Sequence, residues 1–154
     1  MRFDKLTVKA QEAFQGAQHL AGEYQHQAIE PEHLLLAMLD QDSSVVTSLL
    51  SKLDVQVGKL ETDLDAGLKQ GAKVSGAAQH GTTVGGRLQS VFNEAFKHAQ
   101  KMGDTYVTTE HFLLGMAVDK GSAGKLLNEA GVNADNLKDA VDEIRGGRQV
   151  TDAN

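Results

Sequence analysis

No cysteine occurs in this 154-residue sequence, which excludes disulfides, thiol nucleophiles, CxxC redox pairs and cysteine-based zinc sites. A reducing compartment is compatible with that absence, and a cytoplasmic location is the expectation. Proline is almost missing: Pro31 is the only one, and with few aromatics and many Ala, Leu, Gln and Lys the balance points to helices rather than sheet. Positive charge is in deficit, with 15 Lys and Arg against 21 Asp and Glu for a net charge of −6. No basic stripe stands out, so nucleic-acid binding, which needs clustered cations to displace counterions, is not expected. Long apolar runs are lacking as well. The longest, Leu34 to Leu39, falls far short of a bilayer span, and Met1-Arg2-Phe3-Asp4-Lys5 contains no secretory apolar stretch, so no membrane role is expected. What remains is ordinary for a globular domain, 40% hydrophobic and 23% charged, in a chain able to bury roughly two thirds of its unfolded surface.

An internal repeat organises the chain. Glu32-His33-Leu34-Leu35-Leu36-Ala37-Met38 matches Glu110-His111-Phe112-Leu113-Leu114-Gly115-Met116 at an offset of 78 residues, which also carries Phe14 onto Phe92, Ala17 onto Ala95 and Ile29 onto Val107. Beyond these helices the offset becomes 77, carrying Leu49-Leu50 onto Leu126-Leu127 and Leu60 onto Leu137. Ala10, Ala13, Phe14, Ala17, Leu20 and Ala21 recur at helical spacing, with Thr7 as N-cap; Leu88, Val91, Phe92, Ala95 and Ala99 repeat the stripe, with Gly85 where Thr7 stood. The second helix of each half opens at Glu30-Pro31-Glu32 or Thr108-Thr109-Glu110, where Pro, Thr and first-turn Glu all favour a start. Shorter helices are expected around Val45 to Lys52 and Ala123 to Ala130, and last helices around Val57 to Gly67 and Ala134 to Ile144. The expected fold is therefore all-α: two pseudo-symmetric four-helix repeats, about 7–68 and 85–145, packed as one domain over 1–146. Lys69 to Gly86, rich in Gly, Ala, Ser and Thr, reads as a linker, and 147–154 as the start of a flexible tether.

Chemistry is sparse. His33 and His111 each follow Glu in a first helical turn and form no HExxH pair, so capping or packing is favoured over metal ligation. Gly121-Ser122-Ala123-Gly124-Lys125-Leu126 lacks the glycine five residues before Gly-Lys and the Ser or Thr after it that a phosphate loop requires; those positions are Asp119 and Leu126. No nucleophile elbow or acid–base carboxylate pair is evident. The expectation is no enzyme, with no catalytic, cofactor-binding or metal-binding residues.

The repeated EHLL and EHFL helices, Arg2-Phe3-Asp4-Lys5-Leu6-Thr7, Ile29-Glu30-Pro31-Glu32-His33-Leu34-Leu35, and Gly103-Asp104 ahead of Tyr106-Val107-Thr108-Thr109-Glu110-His111 together resemble the Clp N-terminal repeat domain over about residues 1 to 147. Within that family the closest likeness is to the ATP-driven disaggregase chaperones. The resemblance implies a module that engages unfolded or aggregated polypeptide and hands it to an ATPase ring, the isolated domain being expected to be a monomer and its parent a hexamer that uses ATP and Mg and cooperates with the DnaK chaperone system. It also implies substrate-handling roles for Thr7, Asp104 and Glu110, while a fourth such position, usually Ser, is Gly85 here. Each of the three has an equally good structural role: Thr7 as a cap, Glu110 at the positive end of a helix, Asp104 in a turn. An apolar groove is the expected companion. Phe96 is its first candidate because its repeat mate is Gln18; Phe92, Tyr106 and Phe112 follow, Phe92 being the better core residue because it matches Phe14. The alternative function is an adaptor-docking module, as on protease-linked Clp ATPases.

Overall fold

Thr7 Oγ1 accepts the Ala10 N–H at 3.2 Å and so starts α1 (Val8–Glu23), which buries Ala10, Ala13, Phe14, Ala17 and Ala21 along one face. These and the details below come from a computed structural model that describes residues 2–42, 44–74 and 81–154. The next helix, α2 (Pro31–Leu39), is buried on every side except at Leu36. Then come α3 (Val45–Lys52), capped by Ser44, and α4 (Val57–Lys69). The second half repeats the order with α5 (Gly86–Lys101), α6 (Thr109–Ala117), α7 (Ser122–Glu129) and α8 (Ala134–Arg145). Gly85 is the N-cap of α5, as the repeat predicts, but offers no side chain to do the capping.

The histidines explain how α2 and α6 begin. Nδ1 of His33 accepts the Glu30 N–H at 2.9 Å, and Nδ1 of His111 accepts the Thr108 N–H at 2.8 Å, satisfying a backbone donor that each helix start would otherwise leave buried and unpaired. The expected capping role of both residues is thus what the structure shows. In each half the first helix lies along the second, and in the second half the approach is close enough that a Cβ on Gly115 would lie 2.7 Å from the Val91 carbonyl oxygen. Only glycine fits there.

The halves share one core. Phe14, Phe92 and Phe112 pack across the junction as tilted ring pairs, Phe14–Phe92 and Phe92–Phe112, with centroids 5.8 and 5.3 Å apart. The helices also interlock: α3 packs on α6 and α8, and α4 on α7. Eight α-helices among the described residues make the fold all-α, with two short exceptions. Strand β1 (Ala28–Ile29) runs parallel to β2 (Thr83–Val84), and the equivalent pairing in the other half is a single bridge between Leu6 and Val107.

Two expectations need correction. The stretch read as a linker over 69–86 contains β2, because the Thr83 and Gly85 N–H groups donate to the Gln27 and Ile29 carbonyls, each at 3.0 Å; residues 75–80 of it lie outside the described residues. The segment from Gly147, read as a free tether, lies against the domain. Its Val150 carbonyl accepts the Thr105 N–H at 2.7 Å, and its Ala153 carbonyl accepts the Val8 N–H at 2.8 Å. Both donors would otherwise lack a backbone partner, and neither match depends on the side chains of the segment, so no hydrophobic pattern announces it. No described helix is long and apolar enough to cross a membrane.

Candidate functional site

Asp104 follows the turn that ends α5 and points inward, its side chain fully buried. Its Oδ2 meets Nε2 of His111 and Nη1 of Arg145, both at 2.7 Å, while Oδ1 accepts the Val150 N–H at 2.9 Å. Glu110, in the first turn of α6, places Oε2 3.3 Å from Nε of the same Arg145. Arg145 comes from the last turn of α8, and its Nη2 is buried without a partner among the described residues. Because Nδ1 of His111 is engaged by the Thr108 N–H, the ring proton sits on Nε2 and is donated to Asp104.

Burial pushes the Asp104 carboxyl upward, but the Val150 N–H, Arg145 and His111 outweigh it and hold the group below the usual carboxylate range. For His111 burial dominates and lowers the imidazole, although Asp104 and Glu110 pull it back part of the way. The cluster is therefore a carboxylate, a neutral imidazole and a guanidinium, closed off from water.

The three polar residues singled out from sequence are linked through shared neighbours. Asp104 and Glu110 share Arg145, and the Thr7 N–H donates to the Val107 carbonyl at 3.0 Å, between them in sequence. Each also has the structural role foreseen for it. The four aromatic groove candidates do not gather. Phe92 and Phe112 are completely buried core residues, a correction that follows from the packing of Phe92 against both Phe14 and Phe112. Phe96 is partly buried against the core and Tyr106 is half-buried in the segment after Asp104.

Sequence reasoning missed the partners. Arg145 reads as an ordinary basic residue at a helix end. A second missed cation, Arg87, sits between the halves: its Nε and Nη2 bind Asp119 at 3.1 and 2.8 Å, its Nη1 reaches Glu30 at 3.2 Å, and its Nη2 also meets Glu32. Glu32 in turn accepts the Ala123 N–H at 2.7 Å, so the start of α7, the failed phosphate loop, already holds a carboxylate from the other half. Burial raises Asp119, but Arg87 and the Gly124 and Gly121 N–H groups outweigh it and leave it low. Glu30 is raised by burial despite Arg87. A Cβ on Gly85 would fall 1.8 Å from Glu30 Oε1, so the glycine makes room for that carboxylate.

In the first half the positions equivalent to Asp104 and His111 are His26 and His33. Nε2 of His33 lies 2.9 Å from Nδ1 of His26, and burial, with a smaller contribution from His26, lowers His33 to about 4. Beside them a cavity of about 430 Å³ opens among His26, Glu32, His33, Leu64, Leu68 and Leu126.

Comparison with known proteins matches residues 5–130 to the Clp repeat (R) N-terminal domain family. The chaperone protein ClpB of Vibrio cholerae serotype O1 is 42% identical over 154 residues, covering 100% of this chain and 18% of that relative, so the chain spans under a fifth of the relative's length. Among solved structures, the Hsp104 N-terminal domain from Candida albicans superposes with a TM-score of 0.84 at 22% identity, covering 97% of each chain. A complex of the ClpV N-domain with VipB peptide superposes with a TM-score of 0.77 at 19% identity, covering 96% of this chain and 91% of that one.

Proposed function

We propose that this chain, which belongs to the Clp repeat N-terminal domain family and is homologous along its length to the amino-terminal region of ClpB, is a non-catalytic chaperone module that holds unfolded or aggregated polypeptide. The observation that carries the reading is the match to ClpB, which runs through both repeats. In a longer parent the module would deliver that polypeptide to an ATP- and Mg-dependent ring, with the DnaK chaperone system cooperating. The proposed site is the region of Thr7, Asp104 and Glu110, with Tyr106, two residues after Asp104, as the neighbouring half-buried aromatic. A site that accepts many sequences cannot optimise contacts to any one, so each encounter is weak, and several copies on one assembly raise the effective concentration of sites.

Titrating the chain with a permanently unfolded protein, such as reduced and carboxymethylated lactalbumin, should give micromolar or weaker dissociation, with no binding to the native protein. Adaptor docking is a second reading, favoured by the ClpV N-domain that was solved with VipB peptide. Nanomolar binding to one folded protein and none to the unfolded probe would select it.

A further inference from the structure

The segment after α8 is seated in an unusual way. Val150 uses both of its backbone groups on the domain, giving its N–H to Asp104 Oδ1 and its carbonyl to the Thr105 N–H. Three residues on, the Ala153 carbonyl takes the Val8 N–H. Around these bonds Val150 and Ala153 are only partly buried and Arg148, Gln149, Thr151, Asp152 and Asn154 are exposed. Val8, beside the last contact, keeps 43% of its surface open. The domain thus presents a line of backbone-directed groups, an acceptor at Asp104 and donors at Thr105 and Val8, that reads no side chain in particular.

We infer that Gln149–Ala153 occupies, from within the chain, the edge on which an extended unfolded polypeptide docks, and that this edge recognises the backbone of its ligand. The inference rests on the function proposed above and names its site and mode. Two observations single out this edge. Asp104 divides its carboxylate: Oδ2 is committed to His111 and Arg145, whereas Oδ1 has, among the described residues, only the Val150 N–H, which any extended chain could replace. Arg145 Nη2 adds a buried donor in the same cluster that the seated segment does not satisfy. Among the described residues, the other half shows no such replaceable occupant. There the equivalent place is covered by chain leading from α4, with the Val74 N–H on the Gln25 carbonyl at 2.7 Å, and by β2, both of which lie between the repeats. A segment held through its own backbone groups accepts any sequence without proline at the bonded position, which suits a ligand defined by being unfolded.

Val150→Pro removes the N–H that Asp104 holds and leaves the domain otherwise intact. If the segment is seated about nine tenths of the time, unseating it should tighten binding of reduced, carboxymethylated lactalbumin about tenfold. A chain ending at Gly147 should show the same gain, and a free peptide of residues 147–154 should compete it away. In the unaltered chain, adding the probe should speed amide exchange at Val150 while Thr105 and Val8 stay protected. Unchanged or weaker binding by both variants, beside an original chain that binds, overturns the inference and leaves the proposed function standing. Absence of binding by the original chain and both variants removes the proposed function, and this inference with it.

Discussion

At equivalent places in the two halves stand His26 beside His33 and Asp104 beside His111, one residue type exchanged on the same scaffold. In both, the second imidazole caps a buried helix start through Nδ1, so what differs is the group it meets at Nε2. Burial, with a smaller contribution from the imidazole it meets, drives His33 to about 4 and keeps it neutral, with a cavity alongside. Meeting a carboxylate, His111 becomes part of an ionised cluster completed by Arg145, whose repeat mate is Leu68. The lesson is that a repeat fixes backbone and capping, while single exchanges at the free ring nitrogen decide whether the pair is neutral beside an open cavity or part of a filled ionic cluster.

The sharpest way to break this comparison is Arg145→Met, which makes the second half resemble the first at that point. Two carboxylates would keep their burial and lose their cation, and removal of one partner from a buried ion pair costs about 3 to 5 kcal/mol. Thermal unfolding should show a drop of about 6 to 20 °C for a domain of this size, at about 2 to 4 °C per kcal/mol. A loss under about 1 kcal/mol would mean that Asp104 and Glu110 do not act as one ionised unit with Arg145.

Acid should separate the halves next. His33 takes a proton in the folded chain only near pH 4, whereas the unfolded chain takes it near pH 6.5, so between those values the unfolded state binds more protons and stability falls as pH falls. The full shift corresponds to about 3 kcal/mol, from about 1.4 kcal/mol per unit. His111 loses less in the same window, because Asp104 partly offsets its burial. Asp104 and Asp119 are held low; they contribute stability above the unfolded carboxylate value, near 4, that disappears as pH falls through their lower folded values. Amide exchange at pH 4.5 should therefore rise first around α2 and α4. Chemical denaturation of His33→Gln at pH 7 and pH 4.5 should show a shallower pH dependence than the unaltered chain, and an identical slope would exclude His33 as the cause.

These contrasts mark how far the sequence could be read. The helices and their order were legible because apolar stripes recur at 3.6 residues and the offset of 78 checks each half against the other. Thr7, Pro31 and Thr108 announced their helix starts through local chemistry. Arg87 and Arg145 gave no such signal: their partners lie 32 to 57 and 35 to 41 residues away, and a basic residue facing solvent looks the same in a sequence as one facing a buried carboxylate. The segment carrying Val150 was misread for a different reason. The bonds that seat Val150 and Ala153 are made by backbone groups, which every residue has.

Glu32 and Glu110 offer a finer test, because they share a first-turn position and the repeat alone predicts equal costs. The structure predicts unequal ones. Glu32→Ala strands the Ala123 N–H at a helix start and takes a partner from Arg87, a loss of about 2 kcal/mol. Glu110→Ala removes a 3.3 Å contact while Arg145 retains Asp104, a loss of about 1 kcal/mol. Binding should rank the other way: Glu110→Ala should weaken the unfolded probe several-fold and Glu32→Ala should leave it unchanged, both measured where the variants are fully folded. Equal binding would return Glu110 to a purely structural role.

The smallest effect is expected at Gly85, the residue that most clearly departs from its repeat mate Thr7. Thr7→Ala loses a cap whose geometry is in place, at about 1 kcal/mol. Gly85→Ser would gain a hydroxyl at the equivalent cap, an exchange worth only a few tenths of a kcal/mol. Against that gain, the new Cβ would stand 3.1 Å from the Ile29 carbonyl oxygen, which is fixed by strand pairing, and 1.8 Å from Glu30 Oε1, which is not fixed. Glu30 must swing away, but its charge is already disfavoured by burial, and Arg87 keeps Asp119 and Glu32. The opposing terms should nearly cancel, leaving stability within about 1 kcal/mol of the original. Binding should not change, because Gly85 belongs to the Arg87 junction and not to the edge formed by Val8, Asp104 and Thr105. A several-fold change in affinity for the unfolded probe at unchanged stability would move the functional site to the first half, where the His26 cavity lies.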